Sequence, residues 1–174
     1  MTADVLMFLT IRAAHVAVAA VWIGSTVFNL FLLAPALDDS GAAGGQVMAH
    51  VNRRGLHIYM MTLGISTVLT GVYLLWRFTG GFDTGVIATH AGIAFGIGGA
   101  AGIAAGVIGG GVVGRSAAAM TGLMASAAGL PEGPAKGALF NQAASLKHRM
   151  NIGSRVVLAL QASALVLMAV GHYV

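Results

Sequence analysis

Apolar residues along this chain do not alternate with polar ones. They run together in four long stretches, 9–37, 56–77, 86–114 and 150–172. Crossing a hydrocarbon core takes about 20 apolar residues in helical geometry. Each stretch meets that length, so the pattern predicts four transmembrane helices. The expected fold is all-α, an integral membrane four-helix bundle forming a single domain over residues 1–174. Ala34-Pro35-Ala36 resembles a small-residue cleavage site. The first stretch nevertheless reads as a membrane span rather than a signal peptide. It lacks a basic leader, and it is longer than the apolar region of such peptides.

The connections are short on information. Residues 38–54 read as a polar, glycine-rich loop, and 77–85 as a tight turn. Residues 115–149 are split by Pro131 and Pro134 into two Ala-rich pieces. Each piece is able to be helical and to extend the third and fourth helices beyond the lipid.

Composition agrees with the pattern. Charged residues make up 8% of the chain and hydrophobic ones 57%. A soluble domain carries about 25% charged residues. The net charge of +4 comes from basic residues at helix ends, which points to membrane topology and away from nucleic acid. Arg53, Arg54, Arg115, Lys136, Lys147 and Arg149 lie in the first and third connections, against Arg12 and Arg77 on the other side. That bias predicts a cytoplasmic first and third connection and both termini outside. The expected location is a bacterial cytoplasmic membrane. The absence of cysteine excludes disulfides, iron–sulfur clusters and covalently attached haem. The five acidic residues all lie outside the predicted membrane centre, which argues against a carboxylate-based pump or channel. The chain shows no nucleophile triad, phosphate loop or carboxylate pair, so whether it is an enzyme is left open.

Six histidines are the most informative feature. An ionisable group inside a membrane is costly and defaults to a functional reading. Neutral imidazole also ligates haem iron and other metals. His15 falls about two turns into the first helix and His90 about one turn into the third, roughly 6–9 Å below the outer ends. His57 opens the second helix and His148 precedes the fourth. The four therefore fall into an outer pair, His15 with His90, and an inner pair, His57 with His148. That is the layout of a four-helix bundle holding one or two b-type haems. Gly64 and Gly71 follow His57 at seven-residue steps, and Gly92, Gly96, Gly99, Gly102, Gly106 and Gly110 suggest a groove on the third helix. Arg53 and Arg54 are candidates to bind haem propionates. Arg155 shares a face with His148 and is a candidate for a propionate or a lipid head group. His50 reads as a solvated loop residue and His172 as interfacial. The bland alternatives are interhelical hydrogen bonds for His15 and His90, and interfacial positions for His57 and His148.

Nine methionines raise copper as a competing cofactor, because thioether sulfur favours Cu(I). Met48, Met60, Met61 and Met150 cluster with the inner histidines.

The first two helices resemble a known family. Residues 12–37, RAAHVAVAAVWIGSTVFNLFLLAPAL, place a histidine before a Trp-hydrophobic-Gly step and a Leu-Ala-Pro end. Residues 53–76, RRGLHIYMMTLGISTVLTGVYLLW, end on Thr-Gly-hydrophobic-Tyr-Leu. Both resemble the copper-resistance D family of polytopic membrane proteins, over less than a third of the chain. The resemblance implies a helical bundle associated with copper handling or, in related small proteins, with haem. His15 is the residue that carries over; the pattern does not require His57, His90 or His148.

The residues therefore lead to a membrane b-type cytochrome carrying electrons, with His15, His90, His57 and His148 as iron ligands. Copper transport or delivery is the alternative, and a cofactor-free accessory subunit is the second. The expected partners are the lipid bilayer and other membrane redox subunits, with the chain as an oligomer or a complex subunit.

Overall fold

The computed structural model describes residues 2–171 and Tyr173; His172 lies outside the described residues. Six helices follow one another: α1 (Ala3–Asp39), α2 (Gly41–Arg53), α3 (Leu56–Phe78), α4 (Thr84–Ile87), α5 (His90–Ala128) and α6 (Pro134–Val170). No strand is present among the described residues. α1, α3, α5 and α6 are each long and apolar enough to cross a membrane. The chain is an all-α bundle of four such helices.

Consecutive long helices run antiparallel. Packing is densest within the α1–α3 and α5–α6 hairpins, and α3 against α5 and α1 against α6 close the ring. Specific contacts fix the stagger. Trp22 meets Gly64, and Nδ1 of His15 lies 2.9 Å from Oγ1 of Thr70, which sets α1 against α3. Phe78 and Phe95 pack edge to face at 5.0 Å, and Val68 sits beside Gly106, which sets α3 against α5. Gly98 beside Ala164 and Gly153 beside Val113 set α5 against α6.

Few side chains are buried, because lipid rather than protein is the solvent for most of the surface. Leu32, Ile58, Leu69, Val107 and Val166 all face outward. The centre is the Trp22–Ala105–Val157 cluster, joined by Met60, Leu63, Ile108 and Leu160. Small residues at the contacts bring the backbones together around the single large Trp22 ring.

α3 has 23 residues and is about 34 Å long, which matches the hydrocarbon thickness. α5 and α6 have 39 and 37 residues; they are over 50 Å long and must project past it. The Ala-rich halves of 115–149 do extend both helices, as their composition predicts, with Ser116, Ala127 and Ala143 buried between them. The end of α1 projects on the same side, here termed the extension end. The 79–89 connection lies at the other end, the loop end.

The connections differ from the sequence reading. Residues 38–54 are mostly helical: α2 folds back on the end of α1 after Ser40 and places His50 on a helix, its Nδ1 2.9 Å from the Gln46 carbonyl. Gly55, at φ 91°, turns the chain into α3. The third membrane helix starts at His90 rather than 86, because two caps interrupt the apolar run. Asp83 accepts from the amides of Gly85 and Val86 at α4, and Thr89 accepts from the Gly92 amide at α5.

At the extension end Lys147 donates to the Asp38 carboxylate, tying α6 to α1. Both side chains are nearly half exposed, so the pair is expected to contribute about 0.5 kcal/mol or less. A double-mutant cycle on D38N and K147M, read by thermal unfolding, checks this; a coupling several times larger would mean the site is desolvated.

Candidate functional site

Two π-helical turns interrupt the long helices: Asn29–Leu33 in α1 and Gly109–Gly114 in α5. Each has a local cause. Pro35 has no amide hydrogen, and its ring would clash with the carbonyl four residues earlier, so the helix widens just before it. Gly109-Gly110-Gly111 has the lowest helix propensity of any run in the bundle and yields easily. Continuing the α1–α3 register from Trp22 on Gly64 brings Asn29 level with His57. Gly114 is level with His57 as well, since a Cβ there would stand 3.2 Å from Cε1 of His57. The two π turns thus flank His57 at one depth. Such turns are frequent at functional sites.

Between them lies a cavity of 480 Å³. Trp22 and Gly64 line it, and it reaches on to Leu69 and Ile103 near the bundle centre. The π-turn residues Asn29, Leu30, Gly109, Gly110, Val113 and Gly114 form part of its wall. His57 lines it, as do Met48, Met60, Met61, Met120 and Met150 from four different helices. Thr26, Asn29, Asn52, Asn151 and Ser154 are its other polar side chains. No Asp, Glu, Lys or Arg among the described residues lines it. A volume of this order, mostly apolar with a few convergent polar groups, suits an organic ligand. A second cavity of 590 Å³ on the outer side of α1 contains no histidine or methionine and is more open. It lacks the chemistry of the first.

Of the predicted ligands, only His57 opens onto this cavity. Its expected partner His148 is exposed and does not line it. Extending the α3–α5–α6 register puts His148 about one turn further towards the extension end than His57. Arg155 shares the face of His148, as its spacing predicts, but that face points outward. Arg53 and Arg54 are exposed and stand between Asn52 and Leu56, both of which line the cavity. They do not line it themselves.

The outer pair does not form. His15 is buried against α3, where a Cβ on Gly71 would stand 3.0 Å from its Cε1. It lies level with Thr70. Phe78 is eight residues beyond Thr70 and level with Phe95, and His90 is five residues further out, at the exposed first position of α5. Thirteen residues of helix separate the two depths, about 20 Å. Two axial ligands of one iron must stand within a few ångströms of each other, so His15 and His90 cannot share a haem. The pairing failed because α1 begins six residues earlier than its apolar run and α5 four residues later.

The glycine groove on α5 is also not continuous. Gly106 meets Val68 and Gly110 lines the cavity, but Gly96, Gly99 and Gly102 have no neighbour within 4 Å. Gly98, outside the predicted stripe, packs on α6 instead. No cluster of three or more His, Asp or Glu side chains forms a metal site among the described residues. Sequence reasoning missed Asn29, Asn52 and Met120 as site residues; Pro35 and the triple glycine were the available signals.

No protein-family model, no curated protein and no solved structure matches this chain.

Proposed function

We propose that the chain is a membrane-embedded b-type haem protein that carries electrons, with one haem in the cavity at the extension end. The observation that supports this reading is His57 opening onto a 480 Å³, largely apolar cavity between two π turns. The fit rests on three features. The volume suits an organic group and exceeds what a bare ion needs. The His57 imidazole would hold the iron, and five thioethers on the same wall are available as further ligands. Arg53 and Arg54, next in sequence to Asn52, would complement carboxylates. When bound, the haem would supply one-electron chemistry. The chain would hold it through His57, with Asn52 and Asn151 as hydrogen-bonding side chains on the same wall. The separation of the other histidines reduces the two-haem expectation to one. The basic residues of the 38–54 and 115–149 segments support a cytoplasmic extension end with both termini outside. A protein with so little mass outside the lipid would pass its electrons to another membrane subunit.

The five methionines on the same wall favour a second reading, a Cu(I) binding protein for copper transport or delivery. One preparation separates the two. A reduced-minus-oxidised spectrum with a pyridine haemochrome assay is expected to show b-type bands and one haem per chain. Bound copper in molar proportion without haem bands would replace the first reading by the second. Neither group in folded protein expressed with ample haem and copper would leave a cofactor-free accessory subunit.

A further inference from the structure

The half of the bundle nearer the loop end has its own polar layer, and nothing in the cavity reading uses it. Gln161 on α6 is 2% exposed, and neither its amide nitrogen nor its oxygen has a hydrogen-bond partner among the described residues. The hydroxyl of Tyr73 on α3 is likewise buried without a partner. His15 on α1 is 8% exposed. The register set by Val68 on Gly106 and by Gly98 on Ala164 brings Thr70, His15 and Gln161 to one level. Tyr73 lies three residues from Thr70, within about one turn of that level.

The tautomer of His15 follows from its neighbour. Oγ1 of Thr70 stands 2.6 Å from the Ser66 carbonyl, which can only accept, so the hydroxyl proton is committed there. The same oxygen is 2.9 Å from Nδ1 of His15 and must accept from it. Nδ1 therefore carries the hydrogen. In a neutral imidazole this leaves Nε2 with its lone pair as an acceptor.

Three buried groups thus lack a partner among the described residues near the level of His15: an amide donor, an amide acceptor and a phenol. Buried polar groups in native proteins nearly always find partners, and leaving them unpaired is expensive. The missing partner must both donate and accept. It must also be small, because Gly71, Ala105 and Ala164 pack closely at this level. We propose that Gln161, Tyr73 and His15 bind water inside the bundle, with Nε2 of His15 as an acceptor. A buried water making about three hydrogen bonds matches the groups available. The layer is independent of whether the cavity takes haem, copper or neither.

Water-edited solid-state NMR on isotope-labelled protein in lipid bilayers tests it with water as the probe. Rapid magnetisation transfer from water to the Gln161 amide and to His15 Nε2 is the expected result, with loss of the His15 transfer in Q161L. A second variant, Y73F, is expected to keep the transfer to Gln161 while removing the phenol. Absence of transfer at both residues, in protein whose 79–89 connection does receive it, would overturn the proposal. So would a direct hydrogen-bond coupling between Gln161 and His15, or a higher melting temperature for Q161L, since either outcome means a dry core.

Discussion

Replacing Gly92 by alanine is expected to destabilise the bundle by about 3 kcal/mol, the upper part of the range for overpacking a close contact. Gly92 sits in the first turn of α5, beneath the Thr89 cap. A Cβ there would stand 2.2 Å from the Val86 carbonyl oxygen and 2.7 Å from that of Ile87. Both atoms are backbone, so no rotamer change relieves the clash; α4 must move off α5 and the caps at Asp83 and Thr89 must loosen. Gly96, one turn further on, makes the opposite case. Nothing lies within 4 Å of its added Cβ, and alanine there is expected to gain about 0.5–1 kcal/mol from helix propensity alone. The two variants share one chemistry and differ only in surroundings. Thermal unfolding followed by circular dichroism in detergent is expected to move the melting temperature down for G92A and slightly up for G96A. Equal shifts would show that α4 does not pack on α5 as described.

The same contrast explains what was legible in the sequence. Four membrane helices were readable because about 20 continuous apolar residues have one outcome in lipid. The side of an individual glycine was not, because glycine has no hydropathy pattern of its own. Gly92 and Gly98 pack, while Gly96, Gly99 and Gly102 face outward, yet all five look alike along the chain. Helix stagger was also illegible. The depth of His15 was measured from the start of its apolar run, but α1 begins at Ala3, and its position against α3 is set by Trp22 on Gly64. An error of a few residues at each helix end becomes an error of many ångströms between two histidines. The inner cluster was partly readable, since Met48, His57, Met60, Met61 and Met150 all fall near one end of their helices. Met120 joined it only through the projection of α5 beyond the membrane, and Asn29 only through the π turn that precedes Pro35.

Changing His57 to alanine is expected to abolish binding of the cavity's cofactor, whereas H90A and H148A leave it intact. His57 is the one histidine lining the cavity, and its ring rests against Gly114 in the second π turn. Loss of a directly ligating side chain should exceed the roughly 10–100-fold weakening that follows loss of a supporting partner. His90 and His148 are exposed and outside the cavity wall, so their substitution removes no ligand. G114V probes the same point without touching the imidazole. Its first added carbon would already press on His57 at 3.2 Å and approach the Gly109 carbonyl at 3.5 Å. The ring must tilt, and affinity is expected to fall by about 10-fold or more while the bundle stays folded. Cofactor content per chain, measured beside circular dichroism for each variant, reads all four. If H148A lost the cofactor as completely as H57A, the one-turn offset between them would be closed in the loaded protein, and the paired-histidine layout read from the sequence would be restored at this end of the bundle. If only H57A and G114V lost it, the sixth position belongs to one of the five methionines, and M60L, M61L and M120L would identify which.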